Sequence, residues 1–120
     1  ENEPKFVRQV VSPEAARAVT KMMVSAVDKA GVAKIDGFSI AGKTGTAQVP
    51  NFVKGGYTDQ VIDTYVGFGP AINPKFVALI KIDEPPGAPL AGATVVPAYK
   101  ELAQFNLRYY YVSPDRIDKQ

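Results

Sequence analysis

The residues best suited to chemistry are gathered in one stretch, Gly42-Lys43-Thr44-Gly45-Thr46-Ala47-Gln48. It has no helical apolar period and reads as a strand. Lys43 and Gly45 then share one face, and Thr44 and Thr46 share the other. A lysine ammonium is a compact cation that can bind a carboxylate or tune a neighbouring nucleophile. Gly45 lets another backbone lie close against the strand. The two threonines add hydroxyl donors, and the strand's own peptide groups can pair with an extended peptide. The set suits a site that holds a peptide with an anionic end beside a reacting group. An edge strand with a surface lysine accounts for the same residues equally well.

A second pattern overlaps the first. Gly37-Phe38-Ser39-Ile40-Ala41-Gly42-Lys43-Thr44 fits the G-x-x-x-x-G-K-[ST] pattern of P-loop NTPases. Val77 to Glu84 even resembles an apolar strand ending in a magnesium-binding acid. The context opposes this reading. A P-loop opens a helix whose N-terminus faces phosphate, yet Thr44 is followed by Gly45, Pro50, Gly55 and Gly56. A strand should precede the loop, and here a helical pattern ends at Ala30-Gly31.

Bulk properties set wide limits. The chain has 120 residues, 46% hydrophobic and 22% charged, with a net charge of +2. That is one domain with a modest core, and the charge is too small and too evenly spread to argue for nucleic acid. Without cysteine or histidine there is no disulfide, no thiolate and no Ser-His-Asp triad, and the commonest metal ligand is missing. No apolar run reaches the length of a membrane span. The start at Glu1, without methionine or signal peptide, reads as a processed or trimmed polypeptide.

The elements that must position Lys43 to Thr46 follow from local signals. Lys5 to Val11 reads as an extended lead-in. Ser12-Pro13-Glu14 opens a helix with an N-cap serine, a proline at N1 and an acid in the first turn. Ala15, Val19, Met22, Met23, Ala26 and Ala30 form its apolar stripe, and Gly31 ends it. Val32 to Asp36 is a connector, and Gly37 turns the chain into the lysine-bearing strand. Val49 to Asp59 reads as a loop that could border substrate or simply lie on the surface. Strands follow at about Gln60–Phe68, with Ile62, Thr64, Val66 and Phe68 on one face, and at Lys75–Asp83, with Phe76, Ala78, Ile80 and Ile82 on one face. The Asn73-Pro74 turn between them implies an antiparallel meander. Glu84 to Pro89 is an irregular connection. A second helix is expected near Ala93–Leu107, with Val95, Tyr99, Leu102, Ala103 and Phe105 on its apolar side. The tail from Arg108, including Tyr109-Tyr110-Tyr111, is expected to pack on the domain rather than stack bases or sugars, since no basic stripe accompanies it. The fold class is α+β, an antiparallel sheet packed with helices.

Lys43-Thr44-Gly45 is the K-T-G element of penicillin-binding proteins and serine β-lactamases. Around it, Ala41-Gly42-Lys43-Thr44-Gly45-Thr46-Ala47-Gln48, Tyr65-Val66-Gly67-Phe68-Gly69-Pro70, Ile82-Asp83-Glu84-Pro85, Val96-Pro97-Ala98-Tyr99-Lys100-Glu101 and Val112-Ser113-Pro114-Asp115 resemble the C-terminal part of the transpeptidase domain of class B penicillin-binding proteins. The likeness runs over nearly the whole chain, in order. It implies that residues 1–120 supply three strands of a five-stranded sheet, with the K-T-G strand outermost. The last strand then lacks its usual neighbour. The chain is expected to need its upstream half, in cis or as a partner, or else to self-associate.

The family's nucleophile lies in S-x-x-K and a second motif reads S-x-N. Three residues after Ser12, Ser25, Ser39 and Ser113 stand Ala15, Asp28, Gly42 and Arg116; two residues after them stand Glu14, Val27, Ala41 and Asp115. Neither motif is present, so the nucleophile-bearing portion is expected to lie outside this chain, which alone is inactive. The resemblance implies a serine D,D-transpeptidase parent, membrane-anchored and extracytoplasmic, that works on peptidoglycan stem peptides ending in D-Ala–D-Ala and is trapped by β-lactams. It implies catalytic roles for Lys43, beside the nucleophile, and for Thr46, whose N–H gives half of an oxyanion hole. Thr44, Gly45 and Thr46 form the substrate-binding wall, with Thr44 and Thr46 holding the terminal carboxylate. It implies no metal and no organic cofactor. A β-lactamase or β-lactam-sensor fragment, and a non-catalytic binding or assembly module of the same fold, are the alternatives.

Overall fold

A computed structural model describes residues 3, 5–87 and 90–116. Its elements run α1 (Pro13–Ala30), β1 (Ala41–Pro50), β2 (Tyr57–Gly69), β3 (Phe76–Asp83) and α2 (Val95–Tyr109). The three strands form one antiparallel sheet in the order β1-β2-β3. The fold is therefore α+β, as the sequence implies. The proline-rich connection after β3 is irregular through Gly87, and its end at Ala88–Pro89 lies outside the described residues.

Both ends of α1 are set by local chemistry. The Ser12 hydroxyl accepts from the Ala15 N–H at 3.2 Å, Pro13 occupies the first turn, and Gly31 closes the helix at φ 78°. The helix packs against β1, but not with the expected stripe. Val27 is its buried residue, with Thr20, Met23 and Val24 half-buried, whereas Ala15, Val19, Met22, Ala26 and Ala30 are exposed. Two apolar lines run along α1, and periodicity alone does not decide which meets the sheet.

The strand entry is anchored from far along the chain. Gly37, at φ 80°, makes the turn inside an Ile35–Phe38 bridge. The C-terminal segment returns to this point. The Asp115 carboxylate accepts from the Ser39 N–H at 2.7 Å and from the Ser39 hydroxyl, while the Asp115 and Arg116 amides donate to the Gly37 carbonyl at 3.1 Å each. Arg116 also makes a bidentate ion pair with Asp28 of α1, at 2.8 and 3.0 Å. It is thus Val112 to Arg116 that packs on the domain. Tyr109, Tyr110 and Tyr111 are exposed, with Tyr109 stacked on Phe105 at 5.7 Å. That corrects the expectation for the three tyrosines. A polar hook, not aromatic burial, holds the tail.

The β1–β2 connection is shorter than Val49–Asp59. β1 continues to Pro50 with a register shift between Gln48 and Pro50, and β2 resumes at Tyr57. Pro50 is tolerated because β1 is an edge strand, where a missing N–H breaks no ladder. The turn itself is closed by Asn51, whose side-chain oxygen accepts from the Val53 and Lys54 amides at 3.1 and 2.9 Å.

The core lies on one face of the sheet, the face of Asp63, Tyr65, Gly67 and Gly69 in β2 and of Phe76, Ala78 and Ile80 in β3. Tyr99 of α2 packs on Tyr65 with ring centroids 4.6 Å apart. α2 buries Val95, Val96, Tyr99, Ala103 and Leu107. Leu102 and Phe105, expected on the apolar side, are exposed because they fall off this i, i+4 line. The opposite sheet face carries Ile62, Thr64, Val66 and Phe68 beside Val77 and Leu79. There Val77 is 71% exposed and Leu79 62%.

Candidate functional site

Among the described residues β1 is the outermost strand, paired on one side only, with β2. Its register sets the site: Lys43 stands opposite Val66, Thr44 opposite Tyr65, Gly45 opposite Thr64 and Thr46 opposite Asp63. Lys43, Thr44 and Thr46 are exposed and Gly45 is half-buried. A lysine and two threonines therefore stand along an open edge, whose unpaired peptide groups can receive an extended peptide.

Lys43 donates from Nζ to the Thr44 carbonyl at 2.6 Å, which folds the ammonium back along the edge. Gly45 leaves room for its cross-strand neighbour. A Cβ there would stand 2.6 Å from the Thr64 hydroxyl, which donates to the Gly45 carbonyl at 3.3 Å. The Thr44 hydroxyl is not engaged by any described residue. Thr46 differs. Its hydroxyl donates to Asp63 at 2.8 Å.

Asp63 went unnoticed in the sequence. It is fully buried in the middle of β2 and accepts a second hydroxyl bond, from Thr94, at 2.8 Å. Among the described residues no cation pairs with it. Thr94 is the N-cap residue of α2 but makes no side-chain capping bond, because its hydroxyl turns to Asp63. The carboxylate thus links β1 to the N-terminal end of α2 through one hydroxyl from each. Hairpin register was the signal that could have found it, since an acid inside an apolar strand faces a strand hydroxyl.

Behind β1 lies a mainly apolar cavity of about 230 Å³, lined by Val27 and Ala30 of α1, by Lys43 and Thr44, and by Tyr65 and Val96. The Tyr65 and Tyr99 hydroxyls are buried without a partner among the described residues. Burial pushes the Tyr65 phenol up to about 12, and burial followed by the neighbouring Tyr65 pushes Tyr99 higher still. Among the described residues, no cluster of three or more His, Cys, Asp or Glu could hold a metal, and no helix is long and apolar enough to cross a membrane.

Known proteins share this fold. Residues 1–104 match the family model described as "Penicillin binding protein transpeptidase domain". The chain is 34% identical to the probable peptidoglycan D,D-transpeptidase PenA of Neisseria flavescens, covering 91% of this chain and 28% of that protein. It is 39% identical to the penicillin-binding protein PbpB of Mycolicibacterium smegmatis, covering 96% of this chain and 20% of that protein. Penicillin-binding protein 3 of Mycobacterium tuberculosis, solved with ampicillin, superposes with a TM-score of 0.82 at 30% identity, over all of this chain and 29% of that one. The transpeptidase domain of Burkholderia pseudomallei penicillin-binding protein 3 gives 0.78 at 28%, over 96% of this chain and 36% of that one. The chain spans less than a third of the curated relatives named here, and it belongs to the transpeptidase family of class B penicillin-binding proteins.

Proposed function

We propose that this chain supplies one wall of the acyl-transfer site of a peptidoglycan D,D-transpeptidase, and that the nucleophilic serine comes from a segment outside it. The observation that carries the reading is the open edge of β1, with Lys43, Thr44 and Thr46 exposed along it. Neither S-x-x-K nor S-x-N occurs in the 120 residues.

In this reading a stem peptide ending in D-Ala–D-Ala adds to β1 as an extra strand. Thr44 and Thr46 line the side that receives its terminal carboxylate, a charge-assisted contact. The serine oxygen attacks the carbonyl carbon of the penultimate D-Ala and loses its proton to a base, a network to which Lys43 belongs. The Thr46 N–H supplies one of two donors to the oxyanion, and removing one such donor typically costs about 2.7–4 kcal/mol of barrier. The C–N bond then breaks, the terminal D-Ala leaves with a proton on its nitrogen, and an acyl-serine ester remains. An amine of a second stem peptide attacks that ester, forms the cross-linking amide and returns the serine. A β-lactam enters by the same route, but its opened ring stays tethered and the ester persists.

The substrate places the site outside the cytoplasm, on a parent held at the membrane. The partners are stem peptides, β-lactams and the upstream half of the same domain. The test is acylation of the full-length protein by benzylpenicillin. Lys43→Ala is expected to slow it by at least about a hundredfold without loss of fold. Unchanged acylation would remove Lys43 from the site.

A further inference from the structure

We infer that Asp63 is a positioning residue for the substrate wall, holding Thr46 through its hydroxyl and tying the outer strand to the start of α2 through Thr94. The inference rests on the reading of Thr46 as part of the acyl-transfer site.

Three observations carry it. Asp63 is fully buried, so its carboxylate depends on partners inside the protein. Two hydroxyls serve it at 2.8 Å each, one from β1 and one from the loop that begins α2. The Thr94 hydroxyl makes this bond in place of capping its own helix.

The consequence for Thr46 follows from the hydroxyl's chemistry. A threonine hydroxyl has one proton, and here it points inward to Asp63. Toward the open edge Thr46 offers its backbone and an oxygen lone pair. The proton for an anionic substrate group then comes from Thr44, whose hydroxyl no described residue engages, and from Lys43. Asp63 therefore divides the labour of the two threonines. Thr44 meets the carboxylate, while Thr46 is pinned so that its N–H holds position for the developing oxyanion. The ladder with β2 fixes the register of β1, and the Asp63 bond adds a side-chain tie at Thr46, where small misplacements of a reacting group are expensive in rate.

Two measurements test this. The first needs no activity. In the 120-residue chain assembled with the upstream segment of its parent, at low temperature, NMR should detect slowly exchanging hydroxyl protons of Thr46 and Thr94, both lost in Asp63→Leu. Absence of the Thr46 signal in the unaltered chain, or its survival in Asp63→Leu, would overturn the inference. The second uses the full-length protein and separates the dissociation constant of the non-covalent benzylpenicillin complex from the acylation rate constant. Asp63→Leu should lower the rate constant at least about tenfold and shift the dissociation constant by less than about twofold. Asp63→Asn, whose amide still accepts one hydroxyl bond, should recover part of the rate. A purely structural Asp63 would reduce the fraction of protein that labels and leave the rate constant of the folded fraction unaltered, which contradicts the inference. If the unaltered protein is not acylated, the functional reading fails, and the hydroxyl signals still decide the role of Asp63.

Discussion

Gly42 lies directly beneath the Tyr65 hydroxyl. A Cβ at residue 42 would stand 2.0 Å from that oxygen and 2.5 Å from the ring carbon that bears it. The residue before Lys43 is thus the floor on which a buried aromatic pair rests, because Tyr65 is itself packed on Tyr99.

Gly42→Ala should therefore displace the K-T-G strand or the Tyr65 ring. The expected loss, read by chemical denaturation, is about 1–3 kcal/mol, typical of overpacking. Adding Tyr65→Phe should not restore stability, since the ring carbon would still be 2.5 Å away. Full recovery in the double variant would show that the ring moves freely.

Alkaline pH should unfold the chain through the same pair. Both phenols are held above their ordinary value, Tyr65 at about 12. A raised acid favours its protonated form in the folded state, so the contribution is complete below about pH 10 and is lost as pH rises through about 12. Phenolate absorbance and circular dichroism recorded together should show two of the six tyrosines ionising only as the fold melts. Ionisation of all six before any loss of structure would contradict the burial of this pair.

Asp115 should matter more than its place near the C-terminus suggests. Asp115→Ala removes the acceptor for the Ser39 amide and hydroxyl. Leaving those groups unpaired should cost about 1–3 kcal/mol, and hydrogen exchange at Ser39 and Ala71 should quicken, because Ala71 donates to Ser39 at 2.8 and 3.0 Å. Unchanged exchange would mean that the hook does not anchor the strand.

The face opposite the core should make the isolated chain self-associate. Val66, Val77 and Leu79 are exposed there, and β3 has one edge unpaired among the described residues. Burying such side chains is worth about 1.5–3 kcal/mol each. Leu79→Lys should lower the association measured by sedimentation without changing the circular dichroism. A monomeric unaltered chain at all concentrations would count against the expectation.

Much of this was legible where chemistry is local. Ser12, Pro13 and Gly31 set α1, Gly37 marks the turn into β1, and Lys43-Thr44-Gly45 marks the family and the proposed site. What was not legible is what tertiary context decides. β2 carries Ile62, Val66 and Phe68 on one face, yet the buried face holds Asp63, Tyr65, Gly67 and Gly69, because its glycines make room for Tyr99, Ile40 and the backbone of β1. α1 presents two apolar lines, and the line formed by Ala15, Val19, Met22, Ala26 and Ala30 stays exposed here. Asp63 reads as a surface acid until the hairpin register sets it opposite Thr46.

The most direct test of the central claim is covalent labelling with fluorescent penicillin, read by intact mass. The 120-residue chain would be treated alone and after mixing with the upstream segment of its parent, in a mixture shown by sedimentation to have assembled. The expected result is label in the mixture only, carried by the upstream segment, with Lys43→Ala in this chain suppressing it. Label on the 120-residue chain itself, or none in the assembled mixture, would contradict the claim that this chain is one wall of a divided acyl-transfer site.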